Sequence, residues 1–205
     1  MLQSISRLFD PCCHDPHDAI PVPIQGSKLD YHRSKHWSGV LLRVLDGSYS
    51  AKKETNVIKF YSVHGDYSCF SNFSPHPIKL KGQTWFHSEG YFQAQKFVGT
   101  KHESDIRKMK SASGAASAGR DRSKPLRRDW ESVKDDIMRE AVYAKFTQHK
   151  DIQQILLDTG NEKLIEHTEK DSYWADGGDG SGKNMLGIIL METRERIRKE
   201  TLPQS

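Results

Sequence analysis

Near its end the chain carries DGGDGSGKNMLG, from Asp176 to Gly187. This is almost a phosphate loop, Gly-x-x-x-x-Gly-Lys, but Asn184 stands where Ser or Thr belongs. A phosphate loop follows a strand and opens a helix inside a parallel α/β sheet. Only about twenty residues follow this one, too few for the strands that would complete such a sheet. Asn184 also lacks the hydroxyl that holds magnesium. A nucleotide-triphosphatase fold is therefore not expected. An EF-hand fails too, because Gly178 and Gly180 occupy places where oxygen ligands are required.

The stretch keeps some anion chemistry all the same. Gly177, Gly178, Gly180 and Gly182 reach backbone conformations closed to other residues, which lets amides converge on an anion. The next helix offers its N-terminal amides and positive dipole end. Lys183 supplies charge, and Asn184 can donate to a ribose or phosphate oxygen. Asp176 and Asp179 would repel phosphate and suit sugar hydroxyls, a base edge or the reacting carbon. Trp174, just upstream, offers a flat apolar wall. A flexible loop before the last helix fits the same residues equally well.

The chain has 205 residues, enough for one ordinary domain with a real core. Hydrophobic content of 35% and charged content of 28% argue against a membrane protein and a fully disordered one. No apolar run approaches a bilayer span. A formal net charge of +4 suits a phosphorylated ligand or nucleic acid without demanding either. Cys12, Cys13 and Cys69 are odd in number and two are adjacent, so no disulfide framework is expected. That points to an intracellular protein, cytoplasmic or nuclear. The opening MLQSISRLF carries a faint mitochondrial signature that Asp10 ends early.

Residues 1–54 read as an irregular N-terminal extension, rich in Pro, Asp and His. Cys12, Cys13, His14 and His17 lack the second pair that a zinc site needs. HWSGVLLRVLDG suits one strand or a short helix. Residues 55–200 read as the domain and 201–205 as a tail. VIKFYSV alternates as a strand, and PIKLKGQTWF as a hairpin turning near Gly82. SEGYFQAQKFVG reads as a helix with Ser88 as its N-cap and Gly99 as its stop. Further helices are expected at DIRKMKS, across WESVKDDIMREAVYAKFTQH, and over DIQQILLDTG with Asp151 capping. KLIEHTE reads as a strand. NMLGIILMETRERIRKE closes the chain as a helix with Leu186, Ile189, Leu190, Thr193 and Ile197 on one face. The sum is an α+β class, a mainly helical single domain with a small β-sheet.

Two stretches invite a functional reading. Glu89, Gln93 and Lys96 share one face of a helix, with Phe92 beside them. Glu89 and Lys96 stand about 10 Å apart along the axis, room for a ligand between them. Tyr91, Ala94, Gln95 and Val98 take the opposite side. Charged stripes are usually solvated, yet Trp85, Phe86, Tyr91, Phe92 and Phe97 crowd this one as in a base-stacking pocket. In GRDRSKPLRRDW, Arg120, Arg122, Lys124, Arg127 and Arg128 stand beside Trp130, against Asp121 and Asp129. Such a strip suits a pyrophosphate or nucleic-acid backbone, or simply a solvated loop.

Taken together, FYSVHGDYSCFSNFSPHPI, GQTWFHSEGYFQAQKF, GRDRSKPLRRDWESVKDDIMREAVYAKF and KLIEHTEKDSYWADGGDGSGKNMLGIILMETRERI resemble the NADAR, or YbiA-like, family. The likeness runs from about Val57 to about Glu200. It implies a mainly helical α+β domain and an N-glycosidase that needs no metal or cofactor. Two substrate types are implied: ADP-ribose on guanine bases of nucleic acid, and phosphoribosylated pyrimidine intermediates of riboflavin synthesis. In both, ribose C1 is bonded to an exocyclic amine. The resemblance makes Lys96 the candidate nucleophile, through a Schiff base, and Glu89 the proton shuttle. A direct route, with Glu89 activating water, is the other option. Burial among Trp85, Phe92 and Phe97 would lower the amine's pKa. Asn72, Phe73, Trp85 and Gln93 would meet sugar or base, and Arg120 a phosphate. Trp174, Asp176, Gly177, Asp179, Lys183 and Asn184 would form the other wall. Two departures stand out: Gly90 replaces the histidine of the family's Ser-Glu-His, and Ala175 stands where Gly is frequent. Gly90 also makes a non-catalytic ADP-ribose-binding module a competing reading.

Overall fold

The computed structural model describes residues 56–201. The extension at residues 1–54, with its cysteine–histidine cluster and HWSGVLLRVLDG, and nearly all of the tail lie outside that range. Among the described residues there are six α-helices and four short strands. The strands form two pairs. β1 (Val57–Phe60) and β4 (Lys163–Glu166) run parallel, with Ile58 opposite Leu164 and Phe60 opposite Glu166. β2 (Ile78–Leu80) and β3 (Gln83–Trp85) form the expected hairpin. Its turn puts Lys81 and Gly82 both at positive φ, 52° and 70°, the geometry that matches strand twist in a two-residue loop.

α1 (Ser88–Ala94) is short and wholly buried, and it tightens into a 3₁₀ turn over Gln95–Phe97. Gly99, at φ 78°, ends it as expected. The cap differs from expectation: His87, not Ser88, is the N-cap, its Nδ1 accepting from Gly90 N at 2.7 Å. The Ser88 hydroxyl is engaged elsewhere, donating to Asn72 O and Oδ1. Of the four residues assigned to the far face, Tyr91, Ala94 and Gln95 are buried and Val98 is exposed. α2 (Lys101–Arg107) starts earlier than DIRKMKS suggests, because the Thr100 side chain caps it by accepting from His102 N.

α3 (Ala112–Arg120) has no counterpart in the periodicity reading. Its residues ASGAASAGR carry no large apolar side chain, and small size is what lets it press on α1. α4 (Trp130–Gln148) runs the expected course. α5 (Lys150–Asp158) is preceded by His149 as N-cap, with Asp151 in its first turn rather than at the cap. There Asp151 still complements the positive helix end. α6 (Met185–Thr201) buries Leu186, Ile189, Leu190, Thr193 and Ile197, the face read from the sequence. Aromatic side chains dominate the core around α1: Phe60, Phe70, Trp85, Tyr91, Phe92 and Phe146 are all buried. Among the described residues no helix is long and apolar enough to cross a membrane.

Candidate active site

A cleft of about 730 Å³ opens where α1, α3, α4 and the segment after β4 meet. Glu89, Gln93 and Lys96 line it together. Glu89 is 6% and Gln93 5% exposed, so the solvated reading of this stripe does not hold. Gln93 Nε2 donates to Glu89 Oε1 at 2.8 Å, which fixes the carboxyl. Burial pushes the Glu89 pKa up, against the pull of the Gln93 bond and of Lys96 and Arg120. Lys96 leaves the α-helix on the 3₁₀ turn. Its Nζ donates to the Gly119 carbonyl at 3.1 Å and sits 5.4 Å from the Trp130 ring centroid and 5.8 Å from that of Phe92. Desolvation pushes its pKa down, and although Glu89 opposes that shift, Arg120 and Arg122 add to it. One short segment thus offers a carboxyl and an amine that are both drawn toward their neutral forms.

Gly119 is required here. A Cβ at that position would lie 1.9 Å from Gln93 Oε1. Only a glycine lets α3 approach α1 closely enough for its carbonyl to hold Lys96. The turn carrying Asn72 and Phe73 supplies another part of the wall. Asn72 is locked in place: its carbonyl accepts from Glu89 N, its side-chain oxygen accepts from Ser88, and its Nδ2 lies 3.2 Å from Met138 Sδ. Below it, the buried Lys145 donates to Ser71 O at 2.8 Å. Burial pushes that lysine's pKa down to about 7.

The opposite wall comes from β4 and the segment after it. Tyr173 and Trp174 line the cleft, with their backbone amides both donating to Asp171 Oδ1 at 2.8 Å. Trp174 packs edge-on to Phe92, ring centroids 5.2 Å apart. Glu166, absent from the sequence-level site, also lines the cleft. Desolvation, with Asp171, Glu89 and Asp176 nearby, pushes its pKa up to about 8. Glu166 lies at the end of a strand, where its carboxyl looked like one of many surface acids. Only the β1–β4 pairing brings it to the cleft.

Several expected site residues do not line the cleft. Trp85 is 2% exposed, stacks edge-on with Tyr91 and donates Nε1 to Leu80 O, so it is core. Asp176, Gly177, Asp179, Lys183 and Asn184 are also outside the lining. The amides that were to cradle an anion are taken. Lys183 N donates to Ser172 O, Asn184 N to Ala175 O, Met185 N to Tyr173 O and Leu186 N to Trp174 O. Asp176 gathers the turn: Gly180 N and Gly182 N donate to its carbonyl, Gly178 N to its Oδ1, and His167 Nδ1 pairs with Oδ2 at 2.8 Å. Its hydrogen bond to His167 is the chief reason its pKa is held low. The Asn184 side chain clamps β4, accepting from Glu166 N and donating to Leu164 O, each at 2.9 Å. Asp179 Oδ1 accepts from Ser181 N, and Lys183 Nζ stacks on Tyr173 at 4.8 Å from the centroid. Gly90 has a local explanation as well: a Cβ there would lie 2.8 Å from His87 Cε1, so the capping imidazole fills that space.

Comparison with known proteins gives the family. Residues 59–198 match the NADAR domain. The chain is 54% identical to N-glycosidase YbiA of Escherichia coli over 147 residues, 72% of this chain and 92% of that one. An N-glycosidase of Nostoc punctiforme is 49% identical over 144 residues, 69% and 92% of the two chains. The riboflavin biosynthesis protein PYRR of Zea mays is 38% identical over 159 residues, 70% of this chain and 26% of that one. The NMR structure of E. coli YbiA superposes with a TM-score of 0.69, covering 74% of this chain and 90% of the other. On the extent of these matches and the shared fold, the chain belongs to the NADAR family.

Proposed function

We propose that the protein is an N-glycosidase that hydrolyses the bond between ribose C1 and an exocyclic amine, removing ADP-ribose from guanine bases in nucleic acid. One observation carries the chemistry: Glu89 and Lys96 share an aromatic-walled cleft that draws both toward neutrality. The names of the bacterial relatives, N-glycosidases, support the reaction class. The exposed arginines at the end of α3 favour a large anionic substrate.

A glycosylamine of an exocyclic nitrogen opens its sugar ring to a C1 imine. The neutral Lys96 amine adds to C1. Glu89 gives a proton to the departing amine and receives the one that Lys96 loses. The base leaves with both electrons of the C1–N bond, and C1 remains joined to Lys96 as an imine. Water adds to C1, the C1–Nζ bond breaks, and sugar aldehyde and free lysine are restored. Glu166, with its raised pKa, is a second proton holder in the same cleft. Phe92, Tyr173 and Trp174 provide faces for the base.

A phosphoribosylated riboflavin-pathway intermediate is the second substrate reading, favoured by the name of the maize relative. The deciding experiment incubates the protein in parallel with an ADP-ribosylated-guanine oligonucleotide and a riboflavin-pathway glycosylamine. Release of ADP-ribose from the first supports the proposal. Turnover of the second alone moves the assignment to the riboflavin intermediate. Binding of free ADP-ribose without turnover of either makes the protein a binding module.

A further inference from the structure

The two reacting groups depend on different helices. Glu89 stands on α1, whereas the Lys96 amine, on the 3₁₀ turn after it, is held by the Gly119 carbonyl near the end of α3. Their spacing therefore depends on how α3 lies along α1. Gly119, closed against Gln93, fixes one end of that contact. The imidazole of His87, 3% exposed, stands at the other. Its Nδ1 accepts from Gly90 N at 2.7 Å, which assigns the proton of the neutral ring to Nε2. Nε2 is buried and has no hydrogen-bond partner among the described residues. The carbonyls of Met109 and Ser111 lie close enough to the ring to favour its charged form, and Ser111 is the N-cap of α3. Burial outweighs them and pushes the pKa down, so Nδ1 stays an acceptor. Gly90 makes the room: a Cβ there would lie 2.8 Å from His87 Cε1 and 3.1 Å from Nδ1.

We propose that His87 is a positioning residue: its ring pegs the start of α1 to the start of α3 and so sets the spacing at which Glu89 and Lys96 meet their substrate. The effect on the reaction rests on the N-glycosidase reading; the peg itself does not. A helix cap needs only one acceptor, which Ser, Thr, Asn or Asp would supply. A buried ring with a glycine cleared beside it and a second nitrogen turned to another element does more. Two helices pinned at one end can pivot, and pinned at both they cannot. Reacting groups lose much of their effect when displaced by about 1 Å, so the second pin matters to the chemistry. His87 does not line the cleft, and it acts through α1 and α3 rather than on the ligand.

Two substitutions separate the nitrogens, because the amide of Asn ends where Nδ1 lies and that of Gln where Nε2 lies. His87→Asn keeps the cap and loses the reach toward α3; His87→Gln keeps the reach. Packing is tested first. Gly90→Ala should lower the thermal midpoint of the wild type by about 3 °C or more, since the buried ring has nowhere to go. In His87→Asn the space is open, and the same change should leave the midpoint level or raise it. Equal losses in both backgrounds overturn the peg. Turnover of a ribosyl glycosylamine is then measured well below these midpoints. His87→Asn should lower kcat about tenfold with KM within about twofold, and His87→Gln should recover most of the loss. A kcat in His87→Asn equal to that of the wild type, or to that of His87→Gln, overturns the positioning role. A third measurement needs no turnover: the pH dependence of Lys96 acetylation by trace acetic anhydride, read by mass spectrometry. In His87→Asn it should shift up towards that of an ordinary lysine as the Gly119 contact loosens, and an unchanged profile counts against the peg. A shifted profile with no glycosylamine turned over by any of the proteins keeps the peg and sinks the N-glycosidase reading. Should His87→Asn fail to fold, His87→Ser, also a cap former, carries the same comparisons.

Discussion

Two segments of this molecule start a helix beside glycines, carboxylates and a lysine, and they have opposite fates. At α1 and the 3₁₀ turn that follows it, Glu89 is buried and Lys96 half-buried, and both are left short of partners: Glu89 has one amide donor, and the Lys96 amine has one carbonyl. Both face a cavity, and burial pulls both toward neutrality. At the turn before α6 each candidate group is engaged internally, from the Lys183 amide on Ser172 O to the Asn184 side chain on β4. The more motif-like stretch is a brace, and the plainer one is the candidate site. Hydrogen-bonding capacity left over after folding is what separates them.

The contrast can be tested by substitution. Lys96→Ala should lower kcat/KM by at least about a thousandfold with little change in thermal midpoint. Borohydride with substrate should trap a sugar adduct on the wild type and none on the variant; full turnover by the variant ends the lysine route. Glu89→Gln keeps an acceptor for Gln93 but loses the proton, and kcat should fall roughly 10²–10⁴-fold. Measured against temperature rather than turnover, Asn184→Ala should cost about 2–4 kcal/mol, since one buried and one part-buried backbone group lose their partner and residue 184 sits at positive φ. Its kcat well below the midpoint should stay within about tenfold of wild type. A thousandfold loss at preserved stability would instead place the turn in the chemistry.

A pH series sharpens the comparison further. Glu166 binds its proton more tightly folded than unfolded, with its pKa raised from 4.5 to about 8. Between those values the folded state holds more protons, so this group's contribution to stability falls as pH rises. Glu166→Gln should therefore melt near wild type at pH 4.5 and gain steadily on it up to pH 8. A constant difference across that range would mean that the carboxyl is not perturbed. The smallest effect is expected at Lys183→Ala, within about 0.5 kcal/mol and about twofold in KM for a phosphorylated substrate.

Much of the fold was legible because its signals are local. Alternation marked β1 and β4, Gly82 marked the hairpin, and the apolar stripe of α6 fell where its period put it. α3 was not legible: ASGAASAGR has no apolar period, and its helix is held by Ser111, which accepts from Gly114 N, and by close packing on α1. The caps at His87 and His149 were missed because neighbouring Ser88 and Asp151 are stronger cap formers by type, whereas tertiary contacts engage Ser88 with Asn72.

By itself the sequence determined the order of the elements other than α3, the spacing that puts Glu89 and Lys96 near one another, and the family to which both belong. Side-chain periodicity and turn chemistry act over a few residues, so a linear reading captures them. Only the tertiary structure decided that Glu166 joins the cleft, that Trp85 leaves it, and that the glycine-rich turn closes on its own carbonyls. Which polar groups stay unpartnered depends on every distant segment that packs against them, and that is settled only when the chain has closed.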